Sequence, residues 1–585
     1  MHFSYKILQK ASFSLAILPA LVLGILIYKY GVNFPYWDQW IVGRLFEKFH
    51  NNSLAFNDFF EQQNESRLFF PKLVFLGLGL LTHWDVRAEM WVIFLLACIV
   101  SLNIYCLLCL TVSGGILKRI LIATFSNLLV FSPIQLENWL WGIQIVVFVP
   151  IVCLTSCILI SYSRLSARAK FLICMCLCTV STYSYANGLL CWILALPVLI
   201  LNSRKELAKH RWLLVVWIIG FIFNTVAYFY NYQKPSYHPS FLEALKHPVQ
   251  ATHYFISFIG APFAFGVSID TLTVATITGL VLILLFLASS FYAALKAASD
   301  FNQLILLAGW LTIGWYAIAS DAITTLGRVG FGVSQAMSSR YSTFAVYLAV
   351  SLIPIIVIIL DNLKDKISIT KNLLAQVPAF LVGILLVLHL QTSVFAAQVM
   401  SNNRIDYLQR KACLVFINIL PETCLTKKVF PDLTDLKNTA NNLNKLGFLN
   451  PGLVKTNRIQ DIEGKSNLSS ANYGYFDRVT KLSSGVYVAS GWAILPERRE
   501  SADSVILTYK KIGGEHIMFE LINTFDDKRN DVAKTFKKQS YSNSGWKKTF
   551  DSSKLPSGSL QIDAWAFNSL TGKAFHLRDT HAIQN

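Results

Sequence analysis

Long apolar runs recur along the chain and stop near residue 400. A transmembrane helix needs about 20 predominantly apolar residues, and most of these runs are long enough to span. The pattern therefore predicts an α-helical polytopic membrane protein with about eleven transmembrane helices. The predicted spans are 11–30, 88–112, 117–134, 142–162, 171–185, 188–202, 212–231, 271–295, 303–321, 343–360 and 373–396.

Basic side chains cluster in alternate connections between these spans, as they do in cytoplasmic loops. Lys6 and Lys10 precede the first span, which lacks a signal-peptide cleavage site and is read as retained. We therefore predict a multi-pass protein of an inner or plasma membrane, with a cytoplasmic N-terminus and an extracytoplasmic, periplasmic C-terminal domain. The inner clusters are Lys118 and Arg119; Arg164, Arg168 and Lys170; Arg204, Lys205, Lys209 and Arg211; Lys296; and Lys364, Lys366 and Lys371.

The apolar stretch 68–84 is interrupted by Pro71 and Lys72. A span here would invert every later loop and turn the basic clusters outward. We therefore predict a helix at the outer membrane surface, inside a long first external loop at 31–87.

Beyond residue 398 the hydrophobic pattern changes twice. Residues 399–468 are polar and mixed, which predicts a partly helical linker after the membrane domain at 1–398. From 469 to 585, short alternating segments such as 504–509 and 560–566 are separated by Gly, Pro, Ser and Asp. This alternation predicts an all-β sandwich.

Composition supports the membrane assignment. The chain is 54% hydrophobic and 14% charged, against roughly a quarter charged in soluble domains, which excludes a soluble globular enzyme. Topology accounts for most of the basic excess in the membrane half, so we predict no nucleic-acid partner.

Nine of the 11 cysteines lie in predicted spans, while Cys413 and Cys424 are disulfide candidates whose pairing stays open.

Polar residues gather at the outer ends of helices, while the spans hold few ionisable groups beyond Asp321 and His389. The first group follows span 1, where Asp38 lies between Trp37 and Trp40. The rings could stack on a sugar while the carboxylate takes a proton from a hydroxyl. An aromatic belt with an Asp helix cap is the alternative.

Further polar groups are expected to contact substrate. Arg328 and Arg340, in a segment rich in Gly and Ser, suit a phosphate, with interfacial snorkelling as the alternative. For Glu65 and Arg67 the alternative interpretation is a solvated loop, and for Asn187 it is a simple Asn-Gly turn. The predicted substrate-binding residues are Trp37, Trp40, Glu65, Arg67, Glu137, Trp139, Asn187, Arg328, Arg340 and Tyr341.

A carboxylate soon after span 1, a long first external loop, about eleven spans and an outer C-terminal domain resemble the GT-C class of membrane glycosyltransferases, most closely the bacterial O-antigen or cell-wall glycan-modifying type. The resemblance covers roughly residues 1–400 and rests on this architecture, Trp37-Asp38 and the Arg340-Tyr341 region. It implies a GT-C-like membrane domain and a polyprenyl-phosphate-linked sugar donor, with Asp38 as the base. Family members often carry a second acidic residue beside the first, but Gln39 stands there in this chain.

The resemblance implies an inverting hexosyltransferase that moves a sugar from this donor to a glycan or lipid-linked acceptor on the extracytoplasmic face. We expect no cofactor and no metal, and membrane lipid as the surrounding partner. A transporter or flippase of lipid-linked glycans and a non-catalytic membrane scaffold are the alternatives. A transporter predicts charged midplane residues and inverted repeats, which are nearly absent from the sequence.

Overall fold

The computed structural model describes residues 2–364, 371–420, 429–465, 472–483, 485–511, 514–524 and 527–585. The chain divides into two compact units. Unit 1 comprises Met1–Gly31, Ala55–Gly77 and Arg87–Ser401, and unit 2 comprises Val32–Leu54, Leu78–Val86 and Asn402–Asn585. The predicted external loop is thus shared between the two units, and its first part groups with the C-terminal region.

Helices dominate the chain up to residue 445. They are α1 (His2–Tyr30), α2 (Gln39–His50), α3 (Phe56–Phe60), α4 (Phe69–Thr82), α5 (Val86–Thr111), α6 (Ile116–Val130), α7 (Leu136–Leu140), α8 (Ile145–Ser161), α9 (Ala167–Thr182), α10 (Leu190–Leu207), α11 (Trp212–Phe229), α12 (Leu242–Lys246), α13 (Pro248–Gly260), α14 (Thr271–Ser299), α15 (Phe301–Arg328), α16 (Ser342–Lys364), α17 (Lys371–Val415), α18 (Leu433–Lys445) and α19 (Asn530–Thr535). Short 3-10 turns join several of them, including Ala186–Leu189 and Ser339–Tyr341.

Ten helical segments of the described chain are long and apolar enough to cross a membrane. They are Ser12–Tyr30, Val86–Thr111, Ile116–Leu140, Gly142–Ser161, Ala186–Leu207, Trp212–Phe229, Thr271–Ser299, Phe301–Phe331, Ser339–Leu363 and Phe380–Val415. The multi-pass membrane character is therefore confirmed. The predicted span at 171–185 falls on α9, a helix of 16 residues, which is shorter than the ten.

The helix predicted at 68–84 is present as α4, a shorter apolar helix. Its location at a membrane surface and the orientation of all the spans stay predictions.

Asp270 and Asp300 cap the starts of α14 and α15 by accepting hydrogen bonds from the backbone N–H groups of Thr273 (3.0 Å) and Gln303 (3.1 Å).

Small residues bring α13 and α14 close together in unit 1. A Cβ atom on Gly260 would lie 1.8 Å from the carbonyl oxygen of Ala275, and one on Gly279 would lie 1.9 Å from that of Ile256. Only glycine fits this backbone approach, as is common where membrane helices pack. The approach fixes the position of α13, which carries a tyrosine of the candidate site.

Strands dominate the described residues after 472. They are β3 (Gly474–Ser483), β4 (Val486–Leu495), β5 (Glu500–Ser501), β6 (Ser504–Lys510), β7 (Ile517–Asn523), β8 (Gly545–Asp551), β9 (Ser559–Asn568), β10 (Lys573–His576) and β11 (His581–Gln584), after the short pair β1 (Gln62–Gln63) and β2 (Ser66–Arg67).

The C-terminal strands form two antiparallel sheets. One has the order β10-β9-β6-β7 with β11 also paired to β9, and the other has β3-β4-β5 with β8 paired to β4. Phe476 and Ala489 of the second sheet share one buried cluster with Val505 and Ile562 of the first. This shared core confirms a β-sandwich-like C-terminal region.

Unit 2 also contains α2 and α18. Arg44 on α2 pairs with Asp435 on α18 at 2.5 Å, and the rings of Phe46 and Phe448 stack 4.9 Å apart. Residues soon after the first span therefore fold with residues some 390 positions later. Cys424 lies outside the described residues, so its pairing with Cys413 stays a prediction.

Candidate functional site

A two-stranded ribbon presents Glu65 in unit 1. β1 pairs antiparallel with β2, placing Gln62 opposite Arg67. The chain reverses through Asn64, whose φ of 52° lies in the left-handed region that Asn tolerates. Glu65 follows at the tip of the ribbon.

The end of α11 and the segment after it hold this ribbon in place. Gln62 donates a hydrogen bond to the carbonyl of Gln233 at 2.6 Å and accepts one from its N–H at 3.0 Å. The hydroxyl of Tyr228 donates to the carbonyl of Glu65 at 2.6 Å. The backbone at Glu65 is thus fixed from both sides, which orients its carboxylate.

Arg67 has a structural role, because its side chain binds backbone carbonyl groups. Its guanidinium donates to the carbonyl of Tyr228 at 2.6 Å, to that of Phe60 at 2.8 Å, and to that of Tyr230. The side chain is buried and lies 4.6 Å from the ring centre of Phe60. The predicted substrate contact does not fit these bonds, and we assign Arg67 to holding the ribbon.

The Glu65 carboxylate meets two basic side chains from distant segments. Its Oε1 lies 2.7 Å from Nη2 of Arg328 and 2.5 Å from Nδ1 of His238. Burial, followed by the charge of Arg328, lowers the pKa of His238 below its usual 6.5, although Glu65 opposes this change. His238 is therefore neutral at neutral pH, beside the Glu65–Arg328 ion pair.

Arg340 lies in a turn that is bound to the segment before α8. Asn138 donates through Nδ2 to the carbonyl of Arg340 at 2.8 Å and to Oγ1 of Thr343 at 2.6 Å. The N–H of Glu137 donates to Oγ of Ser339 at 3.3 Å. These bonds place Glu137 beside the turn that carries Arg340.

The Arg340 side chain has unsatisfied hydrogen-bonding capacity. Its guanidinium lies 5.3 Å from the ring centre of Tyr341. Among the described residues, its buried Nε has no hydrogen-bond partner, and neither has Oε2 of Glu137. Glu137 acts on the Arg340 charge only at longer range. A buried guanidinium N–H without an acceptor costs free energy, which a bound anion would recover.

Tyr185 interacts electrostatically with both arginines. Its hydroxyl is in electrostatic range of Glu65, Arg328, Arg340 and Tyr341. Burial raises the pKa of this phenol to about 12, so it is a neutral hydrogen-bond donor at physiological pH. We name Glu65, Tyr185, His238, Arg328, Arg340 and Tyr341 the arginine–tyrosine cluster.

Tyr185, His238 and Tyr254 were absent from the residues predicted from the sequence. The hydroxyl of buried Tyr254 donates to Oε1 of Gln335 at 3.2 Å, and both arginines act on it. Tyr185 is part of the Tyr-Ala-Asn-Gly segment at 185–188, but only the Asn-Gly pair of that segment was interpreted from the sequence. Nothing in the local sequence pointed to His238 or Tyr254.

The remaining predictions in unit 1 divide into two kinds. Tyr341 stacks on Phe258 at 5.5 Å inside the cluster. Asn187 is buried, and its Nδ2 has no partner among the described residues. Trp139 is fully buried, and its indole N–H donates to the carbonyl of Ser132 at 2.9 Å. This position leaves no surface for substrate, so Trp139 is a packing residue.

Asp38, Trp37 and Trp40 belong to unit 2. Asp38 is half-buried and immediately precedes α2, but its side chain does not cap that helix. Trp37 adopts a left-handed φ of 47°. Trp40 is buried against Trp84 with ring centres 5.8 Å apart, which suits packing better than sugar contact.

An arginine absent from the sequence predictions lies beside the Asp38 turn within unit 2. The Arg410 guanidinium is 5.1 Å from the ring centre of Tyr36, two residues before Asp38. The rings of Tyr36 and Tyr407 are 5.4 Å apart. A cation and two phenol rings thus border the turn that carries the predicted base.

The two ionisable residues singled out inside spans also differ. His389 is buried, and its Nε2 lies 3.0 Å from the carbonyl oxygen of Leu128, so it is a packed, hydrogen-bonded residue. Asp321 is fully buried; Thr325 donates to its Oδ1 at 3.2 Å, while Oδ2 has no partner in the described chain.

Taken together, unit 1 offers two guanidinium groups, neutral phenols and one tethering carboxylate, a set suited to an oxyanion such as phosphate. Comparison with known proteins finds no matching family model, no matching curated protein and no matching solved structure.

Proposed function

We propose that this chain is a membrane glycosyltransferase that moves a sugar from a polyprenyl-phosphate-linked donor to a glycan or lipid-linked acceptor on the extracytoplasmic face. The donor's lipid tail would stay in the bilayer while its sugar reaches water. This arrangement fits a site built from the ends of membrane helices.

The observation that carries the proposal is the incomplete satisfaction of Arg340. Its Nε is buried without a partner, while Arg328 is bound to Glu65 at 2.7 Å. A guanidinium whose Nε lacks an acceptor is a ready receptor for a phosphate, which accepts two parallel hydrogen bonds from a guanidinium. Arg340 is therefore the proposed main phosphate ligand, with Arg328 as its assistant.

The proposed chemistry needs a base and a stabilised leaving group. The GT-C resemblance gives the role of base to Asp38, which would accept the proton of the acceptor hydroxyl as that oxygen attacks the anomeric carbon. The bond from this carbon to the phosphate oxygen breaks, and Arg340 stabilises the charge that develops on the departing phosphate. Neutral Tyr185 donates one further hydrogen bond to it.

The test is transfer from a synthetic polyprenyl-phosphate sugar by purified variants in lipid. Asp38→Asn should lower the transfer rate by about two or more powers of ten, because the amide keeps the shape without the basicity. Asp270→Asn, at the exposed start of α14, is the matched control and should transfer normally. Native rates in Asp38→Asn would refute the assignment of the base.

The second arm addresses phosphate. Arg340→Ala should weaken binding of polyprenyl phosphate by about tenfold or more, from loss of a charge-assisted hydrogen bond. Arg340→Lys should restore binding only in part, because it lacks the planar fork. Arg168→Ala, an exposed arginine elsewhere in unit 1, should bind normally. Unchanged affinity in Arg340→Ala would withdraw the phosphate role.

Transport of lipid-linked glycans is the second candidate, and buried Asp321 on α15 is the observation that favours it. Ionisable groups inside spans mark transport pathways. In vesicles, a glycosyltransferase should transfer sugar without moving labelled lipid between leaflets, and Asp321→Asn should not change leaflet exchange. Protein-dependent lipid exchange that Asp321→Asn abolishes would favour the transporter.

A further inference from the structure

Three buried cysteines from three helices converge in unit 1. They are Cys157 on α8, Cys178 on α9 and Cys191 on α10, each at most 1% exposed. Their sulfur atoms all lie within 4.8 Å of one another. Sγ of Cys178 is 3.4 Å from Sγ of Cys191. All three are free thiols.

This spacing matches a three-sulfur metal site. A metal–sulfur bond of about 2.3 Å in a trigonal plane separates the sulfurs by about 4.0 Å. That separation lies between the 3.4 Å of the Cys178–Cys191 pair and the 4.8 Å limit for the three atoms. A metal at the centre therefore requires only small side-chain adjustments.

Packing alone accounts for a buried cysteine, but it gives no reason for three sulfurs to meet. Other cysteines of the same helices show the contrast. Cys176 on α9 is exposed, and Cys174 and Cys157 each direct a thiol to the other's carbonyl at 3.8 Å. Only the sulfurs of Cys157, Cys178 and Cys191 also lie within 4.8 Å of one another among the described residues, as ligands of one atom would.

We propose that Cys157, Cys178 and Cys191 form a three-thiolate site for a single soft, thiophilic cation, with Cu(I) as the best fit. Thiolates select Cu(I), Zn(II) and iron–sulfur clusters among biological metals. Structural zinc is almost always four-coordinate, so three sulfurs in a dry interior favour Cu(I). Each metal–sulfur bond replaces a thiol proton, so binding releases protons to solvent.

The metal would brace the turn that carries Tyr185 and Asn187. This turn lies between Cys178 and Cys191, which are 13 residues apart. Gly188 packs tightly there, because a Cβ atom would lie 1.8 Å from the carbonyl oxygen of Ser181. A bond from each cysteine to one metal would close this loop and limit its motion. The proposal stands independently of the glycosyltransferase assignment.

The test uses the purified full chain in detergent, loaded anaerobically with Cu(I) and then passed over a competing chelator. The parent and Cys176→Ser should each retain about one metal per chain by elemental analysis, whereas Cys157→Ser, Cys178→Ser and Cys191→Ser should each retain at least fivefold less. Zn(II) loaded in the same way should be lost to the chelator from all of them.

Thermal unfolding of the metal-free proteins separates metal loss from misfolding. Metal-free Cys178→Ser should unfold at nearly the same temperature as the metal-free parent, while Cu(I) should raise the unfolding temperature of the parent but not that of Cys178→Ser. The proposal is overturned if the parent retains no copper, if the three variants retain as much as the parent, or if mass mapping finds Cys178 and Cys191 joined as a disulfide.

Discussion

Nη2 of Arg328 lies 2.7 Å from Oε1 of Glu65, although one residue ends a long apolar helix and the other forms the tip of a short ribbon. The same carboxylate oxygen lies 2.5 Å from Nδ1 of His238. Three separate segments of unit 1 therefore meet at one carboxylate. Substitutions of the residues at this contact should have measurable effects.

Glu65→Gln should destabilise unit 1. The amide keeps the shape but leaves the charge of Arg328, whose side chain is 20% exposed, without its partner. We expect a loss of about 1–2 kcal/mol, below the value for a fully buried pair because solvent screens part of the charge. A lower thermal unfolding temperature in detergent checks this. The exposed control Glu61→Gln should show no measurable change, and equal behaviour of the two variants would contradict the prediction.

His238 should make the stability of the protein depend on pH. Its pKa is lowered in the folded protein, by burial first and then by Arg328 and Lys234 against Glu65. As pH falls below the ordinary 6.5, the unfolded chain gains a proton that the folded chain resists. Stability is therefore full above that pH and declines below it.

The measurement for His238 is the unfolding temperature at pH 7.5 and at pH 5.5. His238→Gln should lose less stability than the parent over this interval. The exposed control His247→Gln should lose as much as the parent. An identical pH dependence in His238→Gln and the parent would show that this side chain does not titrate as described.

Arg67→Ala should lower the free energy of unfolding by about 2–4 kcal/mol, because three backbone carbonyls lose their donor. Arg67→Lys should recover little, since an ammonium group cannot reach three carbonyls with a planar fork. The measurement is thermal unfolding alongside polyprenyl phosphate binding. Weaker binding by Arg67→Ala with native stability would reinstate Arg67 as a substrate ligand.

Tyr185→Phe should weaken polyprenyl phosphate binding and transfer by about tenfold, the usual cost of losing a neutral hydrogen bond to a charged group. The ring keeps its stack on Phe344 at 5.9 Å, so the fold should stay intact. Tyr183→Phe, two residues earlier, should bind the lipid phosphate normally. Equal affinities for the two variants would remove Tyr185 from the proposed site.

Orientation is tested by single cysteines at exposed positions. Ser334→Cys and Ser540→Cys should react with an impermeant thiol reagent in intact cells more than the parent does, because both lie in predicted outer segments. Leu165→Cys, beside the basic residues Arg164 and Arg168, should react only after lysis. The reverse pattern would invert the predicted topology.

Local pattern determined much of this architecture. Ten helices fulfil the length and composition of spans, because burial in lipid depends on the run of apolar residues itself. Period-two alternation likewise marked the strands of the C-terminal sheets. The count of spans was less secure, because α9 ends at Thr182 and only the folded chain shows where a helix stops.

The local sequence pattern also identified most of the charged residues of the arginine–tyrosine cluster, because charges at helix ends are rare enough to stand out. Their roles were decided by the tertiary structure alone. Arg67 and Arg328 look alike in the sequence, yet one holds backbone carbonyls and the other a carboxylate. Trp139 was predicted to bind substrate but is enclosed by packing.

The convergence of Cys157, Cys178 and Cys191, and that of Glu65 with His238 and Arg328, could not be predicted from the sequence. Hydrophobic periodicity reports which side of an element is buried, but not which distant element covers it. Which distant element covers a buried face depends on how whole helices pack. Close contacts such as that between Gly260 and Ala275 decide this packing. The elements of this protein were therefore determined locally, and its candidate sites by packing.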